Sequence, residues 1–119
     1  MAAMIEGSCH CGAVRFEVAH APDVVMSCNC SICRRLGTMA AHYSARDVKV
    51  SGAPDTYIWG DRMLVFHRCK TCGCHTHSAP VDPASDRMSV NARLLPPEIL
   101  AAARIRRFDG ADSWAYLDD

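Results

Sequence analysis

The chain has 119 residues, which fits one domain spanning 1–119. Thirteen basic side chains balance thirteen acidic ones. The formal net charge of zero argues against a basic nucleic-acid footprint and against an acidic tail. Half of the residues count as hydrophobic, but 17 are Ala and 8 are Cys, while Leu, Ile, Val and Phe together number only 23. That core is thin, yet disorder would need the net charge that is absent. The composition therefore points to a folded domain held by something besides apolar burial. No stretch approaches the roughly 20 apolar residues of a membrane span. The N-terminus lacks the basic and apolar regions of a signal peptide, so a cytoplasmic location is expected. Thiols stay reduced there, and eight cysteines then suggest metal ligands before disulfides.

In chain order, short strands are expected at 4–8 and 13–18, flanking a tight turn at Cys9-His10-Cys11-Gly12. A strand at 24–28 runs into Cys28-Asn29-Cys30-Ser31-Ile32-Cys33. Ser31 is suited to cap a short helical turn through Arg34, Arg35 and Leu36, which Gly37 stops. Strands at 39–43 and 48–51 bracket a turn at Ser44-Ala45-Arg46-Asp47. Strands at 56–59 and 62–68 read as a hairpin over Gly60-Asp61. Cys69-Lys70-Thr71-Cys72-Gly73 is a second tight cysteine turn, with a returning strand at 74–78 and a further strand at 87–91. Pro96-Pro97 opens the one expected helix, 98–104. The tail from Phe108 is aromatic and acidic. The expected class is mainly β: short antiparallel strands, cysteine knuckles and one short C-terminal helix.

The cysteines fall into three close groups: Cys9-x-Cys11, Cys28-x-Cys30-x-x-Cys33 and Cys69-x-x-Cys72. A lone CxxC also fits a redox motif, but three spaced groups in one short chain point to metal. Zinc favours tetrahedral thiolate cages, and two cysteine pairs on tight turns make one closed four-thiolate site. Cys28, Cys30 and Cys33 remain as a group of three. Three ligands plus an open position is the pattern of a catalytic zinc.

These residues are recognisable. Gly7-Ser8-Cys9-His10-Cys11-Gly12-Ala13-Val14-Arg15-Phe16, Cys28 to Gly37, and Cys69-Lys70-Thr71-Cys72-Gly73 resemble the glutathione-dependent formaldehyde-activating (GFA) enzymes and the related centromere-protein-V-like domains. The resemblance runs from about Gly7 to Gly110 and implies a small zinc-binding β-tent fold with two zinc ions per chain. It implies Cys9, Cys11, Cys69 and Cys72 as structural ligands, and Cys28, Cys30 and Cys33 as catalytic ones. It also implies a carbon–sulfur lyase acting on a glutathione–aldehyde adduct such as S-hydroxymethylglutathione. Cys74 is one cysteine more than that pattern needs: either a packed thiol, or a further ligand that competes for or closes the second site.

Seven ligating thiolates and two Zn²⁺ would bring the net charge to about −3. Arg34 or Arg35, directly after Cys33, could offset the open site or hold a substrate carboxylate. Three thiolates make zinc a weak Lewis acid toward water and suit it to a soft thiolate at the fourth position. A base must still move the hydroxyl proton of a hemithioacetal. His10, His42 and His67 are the candidates by residue type. The expected partner is a small-molecule thiol adduct, with neither nucleic acid nor membrane. Two other readings stand beside the enzyme: a non-catalytic zinc module that binds a protein, and a thiol or zinc buffer. The open three-cysteine group favours the enzyme, because a binding module needs no open coordination position.

Overall fold

A computed structural model describes residues 4–117. Three strands, β1 (Ile5–Ser8), β2 (Arg15–Val18) and β5 (Val48–Ser51), form a small antiparallel sheet in the order β1-β2-β5. A seven-stranded sheet contains β3 (Val24–Cys28), β4 (Ala40–Ser44), β6 (Asp55–Tyr57), β7 (Leu64–Arg68), β8 (His75–Pro80), β9 (Arg87–Asn91) and β10 (Arg104–Phe108). Its order is β10-β3-β4-β9-β8-β7-β6. Two six-residue helices, α1 (Ser31–Leu36) and α2 (Pro97–Ala102), complete the fold. The molecule is mainly β, as the sequence predicts. Among the described residues no helix is long and apolar enough to cross a membrane.

Period-two alternation explains where the core lies. In β2, Phe16 and Val18 are buried while Arg15 faces outward. They pack against Val25 of β3, Ala41 and Tyr43 of β4, and Val90 of β9. One face of the large sheet is thus closed by the small sheet. The other face is not. His42, Ser89, Ser78 and Phe66 are successive cross-strand partners, so they form one row on that open face. The same register puts His67 and His77 opposite each other on the core side.

The structure differs from the sequence reading in four places. Cys30, not Ser31, caps α1: its sulfur accepts the Cys33 N–H, a role usually taken by oxygen. Gly37 ends the helix in the left-handed region as expected, with φ 69°. The hairpin strands β6 and β7 are shorter than expected, because residues 58–63 form a wider loop turned by the Arg62 N–H to Trp59 carbonyl bond. The second helix stops at Ala102, and 104–108 is a strand. That strand, β10, runs parallel to β3 while every other described pairing is antiparallel. Its partner lies some 80 positions earlier (Arg104 opposite Val24), so no local turn signal announces it.

Candidate metal centre and active site

Cys9 and Cys11 sit in the turn joining β1 and β2, and Cys69 and Cys72 in the turn joining β7 and β8. Their four sulfurs all lie within 4.8 Å of one another. Cys11 Sγ is 3.7 Å from Cys9 Sγ and 3.5 Å from Cys69 Sγ. Each turn closes on a glycine with positive φ, Gly12 at 81° and Gly73 at 79°. That geometry turns backbone N–H groups toward sulfur. Val14 donates to Cys9 Sγ at 3.3 Å, while Thr71 and Cys72 donate to Cys69 Sγ at 3.4 and 3.5 Å. N–H groups of Cys74 and Cys11 hold the Cys72 thiol down, at about 5. Cys74 packs half-buried against Cys9, Val14 and Cys69, outside the four-sulfur set.

The second group is built locally. Cys28 ends β3, Cys30 caps α1 and Cys33 lies in its first turn. These sulfurs also lie within 4.8 Å of one another, and all three residues are half-buried. The Cys30 and Cys33 N–H groups donate to Cys28 and Cys30 sulfurs at 3.5 and 3.4 Å. Burial first, and then neighbouring Cys30, push the Cys33 thiol up. Crowded thiols resist ionising together unless a cation lies among them. Both clusters could hold a metal ion, and their all-sulfur donor sets suit zinc or another soft divalent metal. All eight cysteines are free thiols.

The chain after β10 braces this second group. Asn29 donates to Asp109 Oδ1 and accepts from the Ala111 N–H, both at 3.0 Å. Gly110 lies against the thiols: a Cβ there would stand 2.6 Å from Cys28 Sγ. Phe108 meets Trp114 and Tyr116 edge-on at 5.1 Å, and the Arg106 guanidinium covers the Tyr116 ring at 3.7 Å. The sequence reading found none of these contacts. The aromatic composition of the tail was its only trace.

Two cavities meet at the three-thiol group. The larger, about 1240 Å³, covers the open face of the big sheet and is lined by Cys28, Cys30, Cys33 and His42, among others. The smaller, about 370 Å³, is lined by Cys28, Cys33, Arg34, Arg93 and Arg107. Of the three candidate histidines, only His42 reaches either cavity. The ring is exposed into the larger cavity, and partial desolvation by the walls, with Arg87 adding, holds its pKa below the usual 6.5. His10 lies exposed in the four-thiol turn. His67 stacks on His77 at 4.1 Å on the core side, away from both cavities. Arg34 lines the smaller cavity, whereas Arg35 folds back to donate to its own helix at the Ser31 carbonyl, 2.8 Å away.

The model of the family described as "Glutathione-dependent formaldehyde-activating enzyme" matches residues 4–104. A Halomonas elongata protein named "Putative glutathione-dependent formaldehyde-activating enzyme" is 43% identical over 56 residues, 46% of this chain and 33% of that protein. The match therefore spans about a third of that relative's length. A crystal structure of a Rhodobacter sphaeroides protein, solved as a structural-genomics target, superposes with a TM-score of 0.67 at 33% identity. That likeness covers 85% of this chain and 99% of the other. Two cysteine turns that bring four sulfurs together, a local three-sulfur group and this match over most of the length agree: the chain belongs to the glutathione-dependent formaldehyde-activating enzyme family.

Proposed function

We propose that the chain is a zinc-dependent carbon–sulfur lyase acting on adducts of glutathione, or a similar thiol, with an aldehyde. The observation that carries this reading is that Cys28 and Cys33 line two cavities of opposite character, one apolar and one rich in arginine. A metal module that only holds a partner protein needs no such opening. In this reading Cys9, Cys11, Cys69 and Cys72 hold a structural zinc. Cys28, Cys30 and Cys33 would hold a second zinc, which would supply a soft Lewis acid for the substrate sulfur, and the two groups belong to one domain spanning 1–119. Eight free thiols suit the reducing cytoplasm.

When bound, the second zinc stabilises a thiolate. The chain's own groups do the rest. Arg34 holds a carboxylate of the thiol half and orients the adduct. His42, neutral at pH 7, accepts the hydroxyl proton of the hemithioacetal. As that proton leaves, the carbonyl forms, the C–S bond breaks and the electron pair goes to sulfur; the reverse sequence makes the adduct. The half-buried setting of the three thiols limits water around the sulfur.

Exchange NMR on glutathione with formaldehyde would follow adduct formation directly. Acceleration by the zinc-loaded protein, lost in Cys33→Ser with the fold retained, is expected. No acceleration by fully loaded protein with formaldehyde or any larger aldehyde would overturn the reading.

A further inference from the structure

The large cavity is bigger and more apolar than a one-carbon aldehyde requires. At about 1240 Å³ it exceeds the roughly 300–1,000 Å³ of an ordinary small-molecule site. Its wall carries Met26, Trp59, Met63, Phe66, Phe108 and Trp114. A hydroxymethyl group would touch almost none of this surface. Methionine and aromatic walls adapt to and stack on flat apolar groups. Of the cavity's charged lining residues, Asp61 and Asp82 are acidic and Arg87 is basic, so it does not attract the two carboxylates of glutathione.

The smaller cavity has the opposite character. Arg34, Arg93 and Arg107 line it, and the Arg93 Nε is fixed by donating to the Gly37 carbonyl at 2.6 Å. Thr38 lines it too; this residue is 8% exposed, and its buried hydroxyl has no hydrogen-bond partner. That is a setting for a carboxylate. The two cavities share Cys28, Cys33 and Phe108. A sulfur held at the shared thiols would therefore divide an adduct between them. Phe108 and Trp114 also lie beyond residue 104, where the family match ends, so this part of the wall is outside the matched region.

We propose that the carbon half of the substrate is a bulky, apolar aldehyde, aromatic or branched, seated in the large cavity, while the carboxylated thiol half occupies the arginine-lined pocket. The proposal takes its chemistry from the lyase reading, but it predicts binding that can be measured without turnover.

Both tryptophans of the chain, Trp59 and Trp114, line the large cavity, so intrinsic fluorescence reports its occupancy. Zinc-loaded full chain would be titrated with S-methylglutathione, S-benzylglutathione and benzyl mercaptan. S-benzylglutathione should bind at least about tenfold tighter than S-methylglutathione, because even one added carbon in an apolar pocket can be worth about that factor and the benzyl group adds six. It should also shift the tryptophan emission. Leu64→Asp should abolish that advantage, at a side chain already 44% exposed and hence tolerant of change. Equal binding of the two thioethers overturns the proposal, and so does silence with all three probes. A response to benzyl mercaptan alone supports the apolar chamber and overturns glutathione as the thiol. Tight S-benzylglutathione binding without turnover of any adduct supports the chamber and sinks only the lyase reading.

Discussion

Cys11 and Cys69 are 58 positions apart in the chain, and their sulfurs lie 3.5 Å from each other. A metal shared by their two turns would tie the small sheet to the large one, since β1 and β2 belong to the first and β7 and β8 to the second. The apolar core between those sheets is small, with Phe16 its largest fully buried side chain. Structural zinc in small domains contributes apparent energies of roughly 10–16 kcal/mol, comparable to the whole stability of such a fold. Cys9→Ser and Cys72→Ser should therefore give insoluble or molten protein. Near-UV circular dichroism and metal analysis would check it. A soluble, cooperatively melting Cys9→Ser protein with two bound zinc ions would refute the clamp.

His42 provides a pH test. Its pKa lies below 6.5, so the folded protein keeps this ring neutral at pH values where an unfolded chain would protonate it. Its contribution therefore favours the folded state less as pH falls below 6.5, and the loss stops once the folded ring also protonates. As a base, it should give turnover an acidic limb below pH 6.5 rather than at it. His42→Gln should retain both metals and the fold, lower kcat by about 10²–10⁴-fold, and remove that limb. Superimposable pH profiles for the two proteins would exclude His42 as the base.

Residues close in sequence were the legible part. The Cys28-Asn29-Cys30-Ser31-Ile32-Cys33 group acts within one strand end and one helical turn, so spacing alone predicts that its sulfurs converge. The Gly37 stop and the proline start of α2 are likewise local. What escaped depends on distant pairing. No turn joins β10 to its partner, which lies some 80 positions earlier, and its five residues gain their order from β3. The candidate histidines could not be ranked from sequence either. Which of them lines the cavity that the thiol group shares depends on which sheet face each strand presents, and a shift of one residue in register reverses that.

Arg34 and Arg35 are adjacent and chemically alike, yet their surroundings differ. Arg34 lines the smaller cavity beside Cys33, while Arg35 is engaged with Ser31 on its own helix. Arg34→Ala should weaken binding of S-methylglutathione by about tenfold or more, the worth of a charged hydrogen bond. Arg35→Ala should leave it within about twofold. Calorimetric titration of both variants separates the roles, and equal losses would mean that the pair acts only through general positive charge.

The last prediction isolates the three-thiol group without removing a sulfur. Gly110 sits where the tail crosses Cys28 and Cys30, held by the Asn29 bonds to Asp109 and Ala111. Gly110→Ala adds one methyl group. Its carbon would lie 2.6 Å from Cys28 Sγ, closer than such atoms approach in folded proteins, and 3.3 Å from the Cys30 Cβ, a tight contact. Either the tail lifts or the Cys28 sulfur turns away, and both disturb the convergence of the three thiols. The four-thiol site is built on other turns and should be untouched. The variant should therefore fold and melt within a few degrees of the parent but carry close to one zinc where the parent carries two. Cobalt substitution offers a second readout, because thiolate-to-cobalt charge-transfer intensity should fall by roughly the share of the three-sulfur site. Full metal content with an unchanged cobalt spectrum would show that the tail accommodates the methyl group and does not position these cysteines.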